Sequence, residues 1–197
     1  MKYAIASEKV RRTFAKQIEK ISGERISLCY QCGKCSAGCP VAYAMDYYPN
    51  QIIHMVRLGL KEKVLQSRAI WLCVSCETCA TRCPNEIEIV RLMDVLRGEC
   101  LTEGFKSPVS EIPKFHKVFM KEIRKRGRID EVGLLLNYEL KTGGLLLFKR
   151  ILEEARLGLR MFRKGKLKLP SRKKHAQKEV EEIFKEALSD KPGLERG

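Results

Sequence analysis

Cys29-Tyr-Gln-Cys32-Gly-Lys-Cys35-Ser-Ala-Gly-Cys39-Pro40 is the first of two cysteine runs that decide how this chain folds. The second run is Cys73-Val-Ser-Cys76-Glu-Thr-Cys79-Ala-Thr-Arg-Cys83-Pro84, and both have the spacing C-x2-C-x2-C-x3-C-P. Each cysteine of the second run follows its counterpart by 44 residues, so one unit is repeated in the chain. Thiols at this density and spacing indicate metal or redox chemistry.

The spacing is the one that two-cluster bacterial-type ferredoxins use for [4Fe–4S] clusters. Three cysteines separated by two residues each let one tight loop supply three corners of a cubane. The fourth cysteine is carried away from that loop and, in this pattern, serves the other cluster. The pattern therefore predicts two [4Fe–4S] clusters with crossed ligands. The first cluster is assigned to Cys29, Cys32, Cys35 and Cys83, and the second to Cys73, Cys76, Cys79 and Cys39.

Two other uses of the cysteines fit the pattern less well. Zinc sites generally use two C-x2-C pairs joined by a long spacer, which differs from a compact run of four thiols followed by proline. Disulfides are typical of secreted proteins, and the N-terminal sequence MKYAIASEKVRR has no apolar core followed by a small-residue cleavage site. We therefore expect a cytoplasmic protein whose thiols bind metal.

The rest of the sequence predicts an all-α protein. The chain has 197 residues, of which 44% are hydrophobic, and a formal net charge of +15, a composition typical of folded globular proteins. Its longest apolar stretch, Gly143 to Phe148, is far shorter than the roughly 20 residues of a membrane span, so no transmembrane segment is expected. No segment alternates with a period of two, whereas apolar residues recur at helical spacing.

Four amphipathic helices are predicted around and after the cysteine runs. Their apolar faces are Val10, Phe14, Ile18 and Ile21; Ile52, Met55, Val56 and Leu60; Ile89, Met93, Leu96 and Cys100; and Phe115, Val118, Phe119 and Ile123. Gly59 is expected to bend or cap the second of these before a short helix through Val64 and Leu65. Cys100 is expected to be a buried thiol and Trp71 to shield a cluster. No ligand role is assigned to His54, His116 or His175.

The C-terminal half lacks cysteines beyond Leu101 and is more basic. Residues 1–100 carry 15 basic and 10 acidic side chains, and the remainder carries 24 and 14. Leu145 to Phe162 is unusually apolar, and Arg163 to Lys178 contains eight basic residues and no acidic one. A final amphipathic helix is predicted from about Ala176 to Leu188. The residues expected on its core side are Val180, Ile183, Phe184 and Ala187.

Two interpretations of this half compete. It is either a small helical extension packed on the rest of the protein, or a docking surface for other subunits. We favour a mixture of the two that is weighted toward docking for Leu145–Lys178, because a separate core in under 100 residues is marginal and burial by a partner would complete it. Nucleic-acid binding by the basic run, and membrane attachment of Leu145–Lys168 as an amphipathic helix, are less favoured alternatives.

The stretch PNQIIHMVRLGLKEKVLQSRAIWLCVSCETCATRCP (Pro49 to Pro84), with CYQCGKCSAGCP before it, resembles the small iron–sulfur subunit of CoB–CoM heterodisulfide reductase from methanogens and related anaerobes. The resemblance is sharpest from Cys29 to about Arg97, and it continues more loosely from Gly127 to Gly144. It implies an α-helical ferredoxin domain whose ligands are the eight cysteines named above. It also implies a relay, in which a flavin-containing subunit supplies electrons and a catalytic subunit uses them to cleave the CoM-S-S-CoB disulfide.

We expect three regions: an N-terminal helix (1–24), an α-helical ferredoxin domain with two [4Fe–4S] clusters (25–103) and a basic helical docking extension (104–197). The disulfide-cleaving catalytic subunit of that family uses adjacent cysteines, and none are adjacent here. No Gly-rich dinucleotide fingerprint is present. We therefore expect neither flavin nor nicotinamide, and no substrate site, in this chain.

The expected partners are the flavin-containing iron–sulfur subunit and the catalytic subunit of the reductase. The resemblance leaves open a wider complex with a hydrogenase or a formate dehydrogenase. We expect no nucleic-acid partner. Two rival functions stay open at this point. One is the iron–sulfur subunit of another respiratory oxidoreductase, of the succinate, fumarate or glycolate type. The other is a zinc-stabilised nucleic-acid-binding protein.

Overall fold

The computed structural model describes residues 8–142, 158–165 and 177–189, and every regular element in these ranges is helical. The predicted all-α class is therefore confirmed for the described part of the chain. The chain divides into two compact units, one ending at Val109 and the other beginning at Ser110. No helix within the described ranges is both long enough and apolar enough to cross a membrane.

The first unit carries both cysteine runs. Its α-helices are α1 (Glu8–Ser22), α2 (Lys34–Ala37), α3 (Pro49–Arg57), α4 (Lys61–Leu65), α5 (Ala69–Leu72), α6 (Thr78–Thr81) and α7 (Ile89–Thr102). Short 3-10 turns occupy Ile26–Leu28 and Ala42–Ala44. Helices α2 and α6 begin inside the two cysteine runs, and both their first and last residues lie 44 positions apart. The repeat in the sequence is therefore also a repeat in the structure.

Helix α7 is the central helix of the first unit and packs against α1, α4, α5 and α6. Its predicted apolar face is confirmed, because Ile89, Met93, Leu96 and Cys100 are all buried. Burying an aliphatic side chain of this size contributes about 2 kcal/mol of transfer free energy. This face is therefore a substantial part of the apolar core of the first unit.

Helix α1 buries Phe14 and Ile18, as predicted, but not Ile21, which is 42% exposed. The prediction for Ile21 was wrong because Ser22 takes the inward position in the last turn. The Ser22 hydroxyl is fully buried and donates to the Ile18 carbonyl at 2.7 Å, so its polar group is satisfied. The side chain of Val10 lies outside the described residues.

Gly59 separates α3 from α4, as its position predicted. It adopts a φ of +69°, which favours glycine, and its N–H donates to the Val56 carbonyl while that of Leu60 donates to the Met55 carbonyl. Leu60 lies beyond the end of α3 and is half-buried, so its placement on the α3 face was wrong. The other predicted positions are buried, namely Ile52, Met55, Val56, Val64 and Leu65.

The second unit contains α8 (Glu111–Arg126), α9 (Glu131–Thr142) and α10 (Gln177–Ser189), and residues 158–163 are also helical. Helix α8 packs against both α9 and α10. A buried polar cluster joins α8 to α9. In it, Arg126 Nε lies 3.2 Å from Glu122 Oε2, Arg126 also donates to Asp130, and Asn137 Nδ2 donates to Glu122 Oε1 at 2.7 Å.

The apolar faces of the second unit were only partly predicted. In α8, Val118 is buried but Phe115 is 38% exposed and lies edge-on to Tyr138. In α10, Val180 and Phe184 are half-buried, whereas Ile183 and Ala187 are exposed, so the prediction was wrong for those two. Of the apolar stretch predicted over Leu145 to Phe162, residues 145–157 lie outside the described residues. Leu159 and Phe162, which are described, are exposed.

Candidate metal centre

The eight repeated cysteines line two cavities in the first unit, four to each. The first cavity is lined by Cys29, Cys32, Cys35 and Cys83, and the second by Cys73, Cys76, Cys79 and Cys39. The two cavities enclose about 300 and 350 Å³ of empty space respectively, their open mouths included. Each cavity thus takes three cysteines from one run and the last cysteine of the other run.

One residue, Ile89 at the start of α7, lines both cavities. Its side chain is 2% exposed, so it separates the two cavities without opening either to solvent. The two cysteine runs also show the same pattern of solvent exposure along their four thiols. The first and fourth are half-buried, the second is exposed and the third is buried. Each cavity therefore reaches the surface at its second cysteine, Cys32 or Cys76.

The two cysteine loops have the same backbone conformation. Gln31 and Ser75, 44 residues apart, both adopt a left-handed φ, of 64° and 52°. Gly33 and Glu77, again 44 residues apart, do so at 76° and 59° as the N-caps of α2 and α6. Glycine takes this conformation without steric cost, whereas Glu77 adopts it at a cost of about 1 kcal/mol or more. Both loops wrap around their cavities in the same way.

An arginine from the helix after each run supports the loop. Arg57 Nη1, at the end of α3, donates to the Cys29 carbonyl at 2.6 Å. Arg97, in α7, donates from Nη2 to the Cys73 carbonyl and from Nε to the Ile70 carbonyl at 2.5 Å. Both arginines lie eight residues after the start of their helix. The first cysteine of each run is therefore held by an equivalent long-range hydrogen bond.

The two runs are also held to one another. The carboxylate of Asp46, which follows the first run, accepts from the N–H groups of Arg68 and Ala69 at 2.7 and 2.9 Å, capping α5 just before Cys73. Asn85, which follows the second run, donates to the Leu28 carbonyl just before Cys29. Each half therefore positions the chain that enters the other half's loop.

A chain of side-chain hydrogen bonds lies along the first cavity. Gln31 Nε2 donates to Cys29 Sγ at 3.2 Å, and Asn50 Nδ2 donates to Gln31 Oε1 at 3.3 Å. The Ser36 hydroxyl donates to Asn50 Oδ1 at 2.5 Å and accepts from the Asn50 N–H at 3.2 Å. Asn50 and Ser36 thus fix the direction in which the Gln31 amide faces the sulfur.

Sequence reasoning missed these supporting residues, namely Gln31, Ser36, Asp46, Asn50, Arg57, Asn85 and Arg97. Apart from the bond from Gln31 to Cys29, their supporting hydrogen bonds join residues 14 to 57 positions apart, and no local sequence pattern predicts such contacts. One signal was present in the sequence. Arg57 and Arg97 occupy the same place relative to Pro49 and Ile89, the first residues of the helices that follow the two runs.

Burial makes several of the cavity thiols harder to ionise. It raises the pKa of Cys35 and Cys73, and it raises the pKa of Cys79 to about 11. The exposed Cys76 differs, since the hydrogen bond with the Thr78 side chain lowers its pKa. Because the thiolate is the form that binds metal, cluster binding at these cysteines would displace their protons.

Cys100 and Trp71 belong to the core and not to the cavities. Cys100 is fully buried, as predicted, and burial raises its pKa. Trp71 is 3% exposed, but it lines neither cavity, and its indole N–H lies beside the Cys100 thiol and lowers that pKa. The prediction that Trp71 shields a cluster was therefore wrong. His54 and His116 line neither cavity, and His175 lies outside the described residues.

The donor set fits a four-iron cubane. All four donors at each cavity are thiols, the preferred ligands of iron–sulfur clusters, and each iron of a cubane takes one of them. A single zinc ion needs its sulfurs within about 2.3 Å of one point. Within residues 8–142, 158–165 and 177–189, no three Cys, His, Asp or Glu side chains converge closely enough to hold one ion.

The sequence profile of the family described as "4Fe-4S dicluster domain" matches residues 25–87, the region that contains both runs. Two [4Fe–4S] clusters are the cofactors of this domain, as predicted. The chain is also 33% identical over 97 residues to the C subunit of the H(2):CoB-CoM heterodisulfide,ferredoxin reductase of Methanothermobacter thermautotrophicus, which covers 49% of this chain and 52% of that protein. It thus spans about half the length of that curated relative.

Two other relatives match over more of their length. One, from Archaeoglobus profundus, is described as like the C subunit of heterodisulfide reductase and is 30% identical over 129 residues, covering 59% of this chain and 67% of that protein. The other is the C subunit of the ferredoxin:CoB-CoM heterodisulfide reductase of Methanosarcina mazei. It is 33% identical over 124 residues, covering 60% of this chain and 76% of that protein. With its dicluster domain and this extent of similarity, the chain belongs to the C-subunit family of heterodisulfide reductases.

Proposed function

We propose that this chain is the electron-transfer subunit of a heterodisulfide reductase complex. It relays electrons from the flavin-containing subunit to the catalytic subunit, which reduces CoM-S-S-CoB to the thiols of coenzyme M and coenzyme B. The observation that carries the proposal is the pair of four-cysteine cavities with the single residue Ile89 in the wall of both. Clusters held in two cavities that share a wall residue would lie close together, as electron tunnelling requires.

The ligands of the first cluster are Cys29, Cys32, Cys35 and Cys83, and those of the second are Cys73, Cys76, Cys79 and Cys39. The grouping of the cysteines around the cavities supports this crossed set. Each [4Fe–4S] cluster, when bound, takes up and gives back one electron at a time. Because each run then supplies one ligand to the other run's cluster, the two halves are held together and the separation of the clusters is fixed.

The chain keeps water from most of each cavity while leaving one edge accessible. The third cysteines, Cys35 and Cys79, are buried, whereas Cys32 and Cys76 are exposed. Beside these two lie the exposed apolar side chains of Tyr30 and Val74, which are 61% and 58% exposed and 44 positions apart. We place the electron donor at one of these edges and the acceptor at the other. No substrate chemistry is assigned to this chain.

The second unit serves docking in this proposal. Leu135, Leu136 and Leu140 of α9 are 59%, 51% and 67% exposed, and Leu159 and Phe162 are exposed as well. Apolar side chains grouped in this way mark interaction surfaces. The basic run Arg163 to Lys178 would add electrostatic attraction to an acidic partner surface. A chain that depends on eight unoxidised thiols also suits the reducing cytoplasm.

Analysis of iron and acid-labile sulfide on anaerobically purified protein tests the cofactor content. About eight irons and eight sulfides per chain support the relay, since a [4Fe–4S] cluster brings four of each. Two zinc ions without sulfide would refute it and favour the zinc-stabilised alternative. The variant Cys100→Ala is the control, because Cys100 lies in the core and should leave the iron content unchanged.

An affinity pull-down under strict anoxia tests the partners. Recovery of one flavin-containing protein and of another with adjacent cysteines supports the heterodisulfide reductase complex. Recovery of a succinate, fumarate or glycolate oxidoreductase would overturn that part of the proposal and leave the two-cluster relay standing. The bait is the full chain, so that both the exposed cluster edges and the basic run are present.

A further inference from the structure

The two cavities are built from equivalent positions but carry different polar groups. Gln31 and Ser36 correspond, 44 residues on, to Ser75 and Ala80. Asn50, the second residue of α3 and part of the first cavity, corresponds to Val90, the second residue of α7 and part of the second cavity. The repeat thus serves as an internal comparison, in which polar residues of the first half are replaced by small or apolar ones in the second.

In the first cavity these residues deliver a hydrogen bond to a ligand sulfur. The Gln31 amide donates to Cys29 Sγ, while Asn50 holds the Gln31 oxygen and Ser36 holds Asn50. The amide is therefore preorganised with its N–H toward the sulfur. A donor on a ligand thiolate stabilises negative charge there, and the reduced cluster carries more negative charge than the oxidised one.

In the second cavity the corresponding wall is apolar. Its non-cysteine lining is Val41, Met45, Pro49, Val74, Ile89, Val90 and Met93. Cys73 and Cys79 have hydrogen bonds with the backbone of Ser75 and Ala80, whereas the side-chain contact to a sulfur there is between Thr78 Oγ1 and Cys76 Sγ at 3.4 Å, at the one exposed cysteine of the cavity. Water competes for such a contact, so it contributes less than a hydrogen bond inside a cavity wall.

The charged residues around the two cavities also differ, and they make the surroundings of the first cavity more positive than those of the second. Lys34 lines the first cavity, and its equivalent is the neutral Thr78. Glu77 in the second run stands where the first has Gly33. Arg97 is paired with Asp94 at 2.9 Å, which offsets part of its positive charge near Cys73. Net charge and hydrogen bonds to sulfur are two of the factors that set cluster potentials.

We propose that Gln31, oriented by Asn50 and Ser36, tunes the first cluster to a higher reduction potential than the second. The inference rests on the proposed function and on its crossed ligand sets. With clusters bound by these cysteines, an electron that a reduced partner gave to the second cluster would pass to the first, so that the first would be reduced and the second reoxidised by one electron. The relay thus has a direction, from the edge at Cys76 to the edge at Cys32.

We expect a single electron to occupy the first cluster in preference to the second by at least about tenfold. This ratio corresponds to a difference of about 59 mV between the two one-electron reduction potentials. The test is an anaerobic dithionite titration of the holoprotein followed by EPR. The unmodified protein should show two reduction steps. Gln31→Ser, which installs the residue found at position 75, should move the higher step toward the lower one by about tenfold in equilibrium constant.

Asn50→Val is the second variant and installs the residue found at position 90. It leaves the Gln31 amide in place but removes its orienting partner, so the higher step should move in the same direction and by a smaller amount. Gln66→Ser is the matched control, since Gln66 is exposed and lines neither cavity. It should leave both steps unchanged.

The inference is overturned if the two clusters of the unmodified protein titrate in one step, or if both cavity variants leave the higher step in place or shift the lower one instead. Should Gln31→Ser fail to retain its clusters, Asn50→Val decides alone. Iron content distinguishes failure of the tuning role from failure of the proposed function. Eight irons with unchanged potentials would remove only the tuning role, whereas protein without iron would remove the proposed function first.

Discussion

Arg82 lies across Gly38, the residue that holds the same place 44 positions earlier in the first cysteine run. A Cβ on Gly38 would stand 2.7 Å from Arg82 Nη1 and 2.8 Å from its Cδ. The two residues immediately precede Cys39 and Cys83, the cysteines that cross between the cavities. The contact therefore sits where the two halves of the repeat meet, and one half needs glycine so that the other can place an arginine there.

Gly38→Ala should destabilise the holoprotein by about 1 kcal/mol, because the new methyl group must displace the Arg82 side chain. Gly98→Ala is the control, since a Cβ there meets nothing within 4 Å and Gly98 lies inside α7. That change should stabilise the protein by up to about 1 kcal/mol. Anaerobic thermal denaturation measures both, and a shift of the same sign in the two variants would contradict the proposed role of the Gly38–Arg82 contact.

Replacing a crossing cysteine should damage the cluster of the other run. Cys39→Ser should remove or convert the second cluster, held by Cys73, Cys76 and Cys79, while the first keeps its EPR signal. Cys83→Ser should do the reverse. About four irons should remain in each variant if the damaged cluster is lost entirely. Loss of the first cluster in Cys39→Ser would show that each run binds its own cluster with all four of its cysteines.

The chemistry of the site could be predicted from the sequence because cluster ligation is encoded by local spacing. Eight cysteines in two repeated runs indicate two clusters before any fold is known, and the face of α7 follows from its period. The supports could not be predicted in this way. The hydrogen bond from Arg57 to Cys29 spans 28 residues. Glu77 adopts a left-handed conformation, which glycine usually occupies. Trp71 was misplaced because proximity to Cys73 in sequence does not set the direction of its side chain.

Arg97→Met should lower the free energy of unfolding by about 2 kcal/mol, because two main-chain carbonyls lose a charged donor. The Arg97 side chain is 15% exposed, so water replaces these bonds poorly. Arg91→Met is the control. The Arg91 side chain is 58% exposed and its carboxylate neighbours lie at 3.9 and 4.0 Å, so the change should cost less than about 1 kcal/mol. Equal destabilisation of the two variants would show that the carbonyl contacts of Arg97 do not stabilise the Cys73 loop.

Arg126→Met should destabilise the second unit without affecting the clusters. Glu122 and Asp130 are 4% and 7% exposed, and removing Arg126 leaves their carboxylates buried without the cation, at a cost of about 3 kcal/mol. Lys125→Met, on the exposed side of the same turn, should have little effect. Hydrogen exchange in α8 and α9 measures the change, and iron analysis serves as the internal control. Unchanged protection in Arg126→Met would mean that the buried cluster does not hold these helices together.

Ending the chain after Thr142 should leave about eight irons bound but abolish co-purification with partner subunits, because all eight cysteines precede this point and the basic run follows it. A full-length companion variant keeps α10 in place against α8. In it, Lys166, Lys168, Lys173 and Lys174 are changed to glutamine, which removes four of the eight positive charges between Arg163 and Lys178. Recovery of the partners should fall and become less dependent on salt, since fewer exposed charges contribute to the attraction. Undiminished recovery with both chains would place the docking surface within residues 1–142, on the cluster-binding unit or on the exposed leucines of α9.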